Sequence, residues 1–424
     1  MDNFDEEKRI RSLNKKLFVA IGVLSVLLTL LLEGFIVLTA FAGFIFYREF
    51  VYSAPEAVEN NAVSYDKVQK TIQGIIPYEI IYGAASRAER AVRREVEKRP
   101  KPAPNEAPKL IGVHSMNINV DSEYSPYGLI GRYIFAYDDY DGNLTYAIEV
   151  DLNGFDISTP GSYNVTYSVT DSEGLETSES VIYTVGFNIF DKPVLTASDV
   201  DALSEGGYFR YEPLPENNYD YAAPLIRPSL VSLSVSDASH TAYGSAFIYK
   251  ITGDYIYIAS VDHVLRPMHT DVLLAFHDET ELKLSFEFET LSVLNELSMF
   301  KISTAYLPTD TLLSLKEIYV DEYIYDDLRN GDTLITYALY WDRNYDVIKR
   351  SKLLELDERH STYGAGVDVI STTITGFEGM SGTATIDEKG RLAGVICAYD
   401  DTVGKEYHLK ITELDSLYQL LRSE

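Results

Sequence analysis

A long apolar run near the start of the chain dominates its pattern of hydrophobic and polar positions. The 30 positions from Leu17 to Phe46 contain one charged residue, Glu33. About 20 apolar residues are enough to cross a bilayer, so the pattern predicts one transmembrane helix over 17–47. Residues 1–16 carry five lysines and arginines, and short basic flanks stay on the cytoplasmic side. We therefore expect a cytoplasmic tail, with all later domains outside the membrane.

A cleaved signal peptide is the alternative for this segment, because Ala40-Phe41-Ala42 resembles a cleavage site. The apolar core of a signal peptide has only about 7–15 residues. The run found here is longer, which favours an uncleaved anchor. Residues 48–108 follow, with a basic, helix-forming stretch that ends at Pro100 in a proline-rich segment. They are predicted to be a juxtamembrane stalk and linker.

The pattern changes to short alternating stretches over 109–187. Apolar and polar residues alternate in 162–169 and 180–185, and both stretches are rich in β-branched and aromatic residues. Such a period of two, interrupted by turns, is typical of strands in a small sandwich. The segment is therefore predicted to be a β-sandwich, followed by a linker at 188–227.

Two motifs in this segment resemble bacterial Ig-like surface repeats. An acidic turn contains Asp139, Asp141 and Gly142, and the later run PGSYNVTYSVTDSEG begins at Pro160. The resemblance implies a domain for which a cell-envelope protein is a candidate partner. Asp138, Asp139 and Asp141 are candidate calcium ligands, because calcium takes carboxylate and carbonyl oxygens. The alternative is an acidic turn capped by its own side chains, and no other metal site is predicted.

Residues 228–424 contain two motifs that carry chemistry. Strand-like stretches on either side of a glycine turn at 252–254 lead to Ser260 and, three positions later, to His263. Further along, the sequence GMSG at 379–382 is followed by a second strand, turn and strand pattern.

These two motifs resemble those of trypsin-like serine proteases, in particular the HtrA/Deg-type enzymes. The resemblance implies a chymotrypsin-type double β-barrel with Ser381 as nucleophile and His263 as general base. A serine hydroxyl needs a base to take its proton. The oxyanion needs preorganised donors, which the resemblance assigns to the backbone N–H groups of Gly379 and Ser381. It also implies that Ser260 supports the triad acid. Thr375 would lie at the base of the specificity pocket, where the absence of an acid argues against Arg/Lys selectivity.

The chain departs from this pattern at two positions. Glu296 precedes an apolar strand where these enzymes have aspartate, and Thr383 replaces a glycine after the nucleophile. Glutamate keeps the charge but is one methylene longer, so it can orient the imidazole only after a backbone adjustment. The predicted function is a membrane-anchored serine endopeptidase with a His-Glu-Ser triad, no cofactor, and protein or peptide substrates. The alternative is a catalytically inactive surface binding protein or adhesin.

The net charge and the cysteine content bear on the possible partners and on the location of the protein. The formal net charge is -29, and residues 110–424 hold 20 basic against 51 acidic side chains. Such a field repels phosphate backbones, which argues against a nucleic-acid partner. Cys397 is the only cysteine, so no intramolecular disulfide can form. An external domain of this kind depends on core packing, which favours a bacterial cell surface. The predicted fold class is mainly β.

Overall fold

The computed structural model describes residues 105–236, 241–265, 271–285, 291–292, 296–339, 345–360, 367–373, 376 and 379–423. The predicted cytoplasmic tail, transmembrane helix and nearly all of the predicted stalk lie outside these ranges, and they stay predictions. Within these ranges, no helix is long and apolar enough to cross a membrane. The described residues belong to one compact unit of the chain.

The segment that was predicted to be a β-sandwich forms two sheets. Its strands are β1 (Lys109–Ile111), β2 (Met116–Asn119), β3 (Phe135–Asp138), β4 (Gly142–Asn143), β5 (Glu149–Asp151), β6 (Gly161–Thr170) and β7 (Glu176–Gly186). One sheet has the order β1-β3-β4 and the other the order β2-β7-β6-β5. Successive side chains of a strand point to opposite faces. On β6, Val165 and Tyr167 are therefore buried, while the residues between and beside them are more exposed.

Residues 188–227 differ from the predicted linker, because they form two helices that pack into the core. The helices are α1 (Ala197–Glu205) and α2 (Tyr219–Ile226). Thr196 caps α1, since its hydroxyl accepts the N–H of Asp199 while the Asp199 carboxylate accepts the N–H of Thr196. Helix α1 buries Val200 and Leu203 completely or nearly so. The segment is therefore part of the folded unit.

The first half of the C-terminal region is a seven-stranded antiparallel sheet. Its strands are β8 (Leu230–Ser236), β9 (Thr241–Ile251), β10 (Tyr255–Val261), β11 (Asp271–Ala275), β12 (Glu281–Ser285), β13 (Leu291–Ser292) and β14 (Leu297–Ser303), in the order β12-β11-β8-β9-β10-β14-β13. A one-turn helix, α3 (Asp262–Leu265), follows β10 directly. Two short helices, α4 (Thr309–Ser314) and α5 (Ile324–Asp327), connect this sheet to the next one.

The second half is a closed six-stranded barrel. Its strands are β15 (Thr333–Ala338), β16 (Val347–His360), β17 (Val367–Thr373), β18 (Ala384–Asp387), β19 (Leu392–Asp400) and β20 (Lys405–Leu409), in the order β15-β16-β17-β20-β19-β18. Helix α6 (Leu414–Ser423) follows and packs along β14 of the first sheet. The fold of the described residues is therefore mainly β, with one closed barrel and one barrel-like sheet, consistent with a chymotrypsin-like fold.

The N-terminal sandwich is docked on the rest of the unit through α1. The backbone N–H of Gly112 donates to Asp199 Oδ1 over 2.9 Å, and His114 Nε2 lies 2.6 Å from Asp199 Oδ2. The hydroxyl of Tyr133 donates to Asp310, which lies beyond β14. One continuous hydrophobic core also extends from the sandwich into the two C-terminal sheets. The sandwich is therefore held by contacts as well as by its chain connection.

We expect this contact to weaken as the pH rises. The hydrogen bond to Asp199 raises the pKa of His114; burial opposes this shift, and the charges of Asp199 and Glu179 add to it. A base whose pKa is higher in the folded state stabilises the fold below its unfolded pKa of about 6.5 and stops doing so as the pH passes its folded pKa. The excess stability of the wild type over His114→Gln should thus be larger at about pH 5 than at about pH 9.

Denaturant unfolding of both proteins at the two pH values measures this difference. Because the His114 ring is partly exposed, the effect should stay below about 1 kcal/mol. Burial lowers the pKa of the fully buried His408, so its contribution to stability increases as the pH rises. His408 is present in both proteins, and its contribution therefore cancels in the comparison. A stability difference that is constant across this pH range would contradict the prediction.

Candidate active site

His263 and Glu296 lie at the same end of two paired strands. Strands β10 and β14 are in register from Tyr255 opposite Ser303 to Val261 opposite Leu297. His263 follows β10 in α3, and Glu296 immediately precedes β14. His263 Nδ1 lies 2.5 Å from Glu296 Oε1, and the same oxygen accepts the backbone N–H of His263 over 2.9 Å. A carboxylate can only accept, so Nδ1 carries the proton in this pair.

The longer side chain of Glu296 is accommodated by an unusual backbone conformation. Its φ is 76°, in the left-handed region that few residues other than glycine adopt. Its carbonyl oxygen also accepts the N–H of Asp262 over 2.7 Å. Strained backbone of this sort is concentrated at functional sites, and here it aims a carboxylate at an imidazole.

Two left-handed glycines frame Ser381. Gly379 has a φ of 95° and Gly382 a φ of 85°, and a residue with a side chain would be strained at either position. Gly382 N–H donates to Ile396 O over 2.9 Å. The hydroxyl and the N–H of Thr383 both donate to Met380 O, over 2.6 and 3.1 Å. Thr383, the second departure from the protease pattern, thus closes the loop through its hydrogen bonds to Met380.

The strand β9 brings this loop to the sheet that carries His263. The backbone N–H of Ser245 donates to Ser381 O over 2.9 Å. A Cβ atom added to the neighbouring Gly244 would lie 2.6 Å from Val264 Cγ1 and 3.3 Å from Ser381 O. Val264 is the residue after His263. The backbone of Ser381 therefore lies beside β9, close to the residue after His263, and Ser381 is half-buried there.

Ser260 differs from its predicted role. Its buried hydroxyl donates to the backbone carbonyl of Ser245 over 2.7 Å, so it is engaged with β9 and not with the carboxylate of Glu296. The donors to that carboxylate come from His263 itself.

The predicted pocket residue Thr375 lies outside the described residues. A carboxylate that the sequence did not indicate contacts the next residue, Gly376. Glu406, on β20, is completely buried, and its Oε2 accepts the backbone N–H of Gly376 over 3.0 Å. The sequence gives little indication of this contact, because Glu406 lies 30 positions after Gly376. Glu406 also stands in a strand, β20, where a glutamate is expected to face the solvent.

Of the three calcium candidates, Asp138 caps its own turn and Asp141 contacts a distant backbone N–H. Asp138 Oδ1 accepts the N–H groups of Tyr140 and Asp141, each over 2.7 Å, and Asp141 Oδ2 accepts the N–H of Ser172 over 2.7 Å. Asp139 is exposed. Among the described residues, no three histidine, cysteine or acidic side chains come together in a way that could hold a metal ion. Asp138 thus caps its own turn, as the alternative predicts, and calcium binding at this turn stays a prediction.

The strand order and this site together define the class of the C-terminal region. A histidine and an acid sit at the end of one antiparallel sheet, and a glycine-flanked serine from a closed six-stranded barrel lies beside them. This arrangement is consistent with a chymotrypsin-like fold, which the sequence resemblance implies.

Comparisons with known proteins identify the domain that precedes it. Residues 108–184 match the family model described as bacterial surface protein, Ig-like domain, which confirms the predicted resemblance. The pesticidal crystal protein Cry22Aa of Bacillus thuringiensis is 33% identical over 113 residues, which are 27% of this chain and 15% of that protein. The chain thus spans a small part of this relative.

Solved structures with similar folds include proteases. The HtrA-type protease AlgW with tripeptide has a TM-score of 0.41 and 17% identity, covering 49% of this chain and 64% of that chain. The serine endoprotease from Yersinia pestis has a TM-score of 0.38 and 16% identity, covering 49% of this chain and 68% of that chain.

Proposed function

We propose that this protein is a serine endopeptidase that hydrolyses peptide bonds in proteins or peptides. Ser381 Oγ attacks the carbonyl carbon while His263 Nε2 takes its proton, and the backbone N–H groups of Gly379 and Ser381 stabilise the oxyanion. His263 then gives the proton to the leaving amine, which leaves an acyl-enzyme. Water hydrolyses this ester with His263 again as the base. Glu296 orients the ring and stabilises its charged form.

The observation that carries the proposal is the double contact between Glu296 and His263. One carboxylate oxygen accepts both the ring Nδ1–H and the backbone N–H of the same residue. Such a pair fixes the tautomer and the orientation of the imidazole, which is the task of a triad acid. The side chains are also protected from water, with 9% of Glu296 and 21% of His263 exposed.

The alternative function is a catalytically inactive surface binding protein or adhesin. It draws its support from the two departures from the protease pattern, Glu296 and Thr383. Glu296 reaches the histidine, and Thr383 closes the nucleophile loop through Met380. Neither departure therefore indicates a loss of activity, and we favour the serine endopeptidase over the binding protein.

We propose further that the enzyme is anchored in the membrane and acts outside the cytoplasm. The apolar run over 17–46, with its basic flank, supports an anchor with the N-terminus inside. The match of residues 108–184 to a domain of bacterial surface proteins supports an external position for the folded unit. On this proposal, the Ig-like domain contacts a protein of the cell envelope and holds the protease near its substrates.

A membrane-impermeant fluorophosphonate tests both proposals on intact cells that make the full chain. This probe reacts only with a serine that has an activating base and an oxyanion hole. We expect labelling of the wild type and of Ser158→Ala, an exposed serine of the Ig-like domain, and none of Ser381→Ala. Labelling that appears only after lysis would contradict the external location. The absence of labelling before and after lysis would contradict the enzymatic activity and favour the binding protein.

A further inference from the structure

Ser260 and Ser245 form a hydrogen-bonded bridge between the strand of the base and the loop of the nucleophile. Ser260 is completely buried on β10, three positions before His263. Its hydroxyl donates to the carbonyl of Ser245 on β9 over 2.7 Å. The N–H of Ser245 in turn donates to the carbonyl of Ser381 over 2.9 Å. The backbone of one residue of β9, Ser245, therefore bonds to both sides of the candidate active site.

The nucleophile loop also packs directly on this bridge. A Cβ atom added to Gly382 would lie 2.0 Å from Ser245 O and 2.4 Å from Ser260 Oγ. Real Cβ atoms do not approach other atoms so closely, so the loop backbone rests on these two oxygens. Glycine at 382 is thus required by contact as well as by its left-handed φ of 85°.

We propose that Ser260 is a positioning residue that sets the distance between Ser381 and His263. This inference rests on the proposed protease function. Ser260 lies on the strand that leads into His263, and its hydroxyl fixes the carbonyl of Ser245, on which the loop of Ser381 rests. Without the hydroxyl, the backbone of Ser245 loses one restraint and the nucleophile loop can shift relative to the histidine.

A small shift of this kind is expected to slow the chemical step. Displacement of a reacting group by about 1 Å can cost about 100-fold in rate. Ser260→Ala should therefore reduce kcat by about 10- to 100-fold, with KM close to that of the wild type, because Ser260 is buried and does not reach the substrate. The rate of fluorophosphonate labelling should fall by a similar factor.

Ser298 provides a matched control for this substitution. It lies directly opposite Ser260 in the β10–β14 pair and is also completely buried. Among the residues that the structure describes, its hydroxyl oxygen has no hydrogen-bond partner. Ser298→Ala therefore removes the same group from the same layer of the sheet without breaking the bridge. We expect it to keep the kinetics of the wild type.

The experiment compares peptide hydrolysis and fluorophosphonate labelling by the wild-type full chain, Ser260→Ala and Ser298→Ala, with thermal unfolding as a check on folding. A slow Ser260→Ala beside an unaffected Ser298→Ala, with the same pH dependence of the rate as the wild type, supports the proposal. Equal kinetics of the two variants would overturn it. A shifted pH dependence in Ser260→Ala would also overturn it, because the hydroxyl would then act on the pair of His263 and Glu296.

Two further outcomes keep the test decisive. If Ser260→Ala does not fold, Ser260→Cys replaces it, since a thiol has a similar size but is a weak donor; kinetics equal to those of the wild type would then count against the bridge. If the wild type itself does not react with the fluorophosphonate, the proposed protease function fails and this inference fails with it. An active wild type with an unaffected Ser260→Ala overturns the positioning role alone.

Discussion

Replacement of Ser381 by alanine is expected to reduce peptide hydrolysis by about 10⁶-fold, and His263→Ala should have an effect of the same size. Ser381 supplies the attacking oxygen, and His263 is the base that makes this oxygen nucleophilic. Removal of either one disables the same step. The double variant should therefore be no slower than the single variants.

Turnover of a peptide substrate by purified full-length protein measures these losses. His114→Gln is the control for the histidine, because His114 lies in the Ig-like domain and contacts Asp199 rather than the nucleophile loop. It should hydrolyse peptides at the rate of the wild type. Losses that multiply in the double variant would mean that Ser381 and His263 act independently, which contradicts a shared catalytic unit.

The sequence alone predicts those parts of this site that depend on local pattern. The β-branched and aromatic residues of 255–261 before His263 predict a strand, and β10 is found there. The glycines around Ser381 predict a sharp turn, and Gly379 and Gly382 have the expected positive φ. In each case, neighbouring residues determine the local conformation, so the signal lies within a few positions of the sequence.

The parts that the sequence did not predict depend on residues that are distant along the chain. The partner of Ser260 is set by how β9, β10 and the nucleophile loop meet, and no local pattern encodes this. Helix α1 has nine residues and α2 has eight. Helices this short are marginal without tertiary packing. They are stable here because their apolar faces are buried against the rest of the unit. This burial cannot be recognised from the local sequence, which is why 188–227 is predicted to be a linker.

Glu296→Gln is expected to lower kcat by about 10⁴-fold while the protein stays folded. The amide is close in size to the carboxylate, so it fits the same space beside His263. It cannot stabilise the imidazolium that forms when Ser381 loses its proton. Its NH₂ group can also donate to Nδ1, which favours the tautomer that cannot act as base at Nε2. The loss should therefore appear in kcat, with an unfolding midpoint close to that of the wild type.

Glu296→Asp separates reach from charge at the same position. Aspartate tolerates a positive φ better than most residues, so the backbone conformation at 76° should be retained. Its carboxylate is one methylene shorter, however, and must retract from Nδ1 and from the backbone N–H of His263. We therefore expect a folded protein that is slower than the wild type. A faster Glu296→Asp would mean that glutamate marks the decay of a former protease.

Glu296→Ala decides whether this residue takes part at all. If the variant hydrolyses peptides as fast as the wild type, the acid must be another residue, and Asp271 and Asp278 are the alternatives. Both aspartates have other partners in the structure. Asp271 pairs with Lys283 over 3.1 Å, and Asp278 accepts the hydroxyls of Thr280 and Thr311 over 3.1 and 2.7 Å. Since Glu296 accepts two N–H groups of His263, we expect Glu296→Ala to lose at least as much activity as Glu296→Gln.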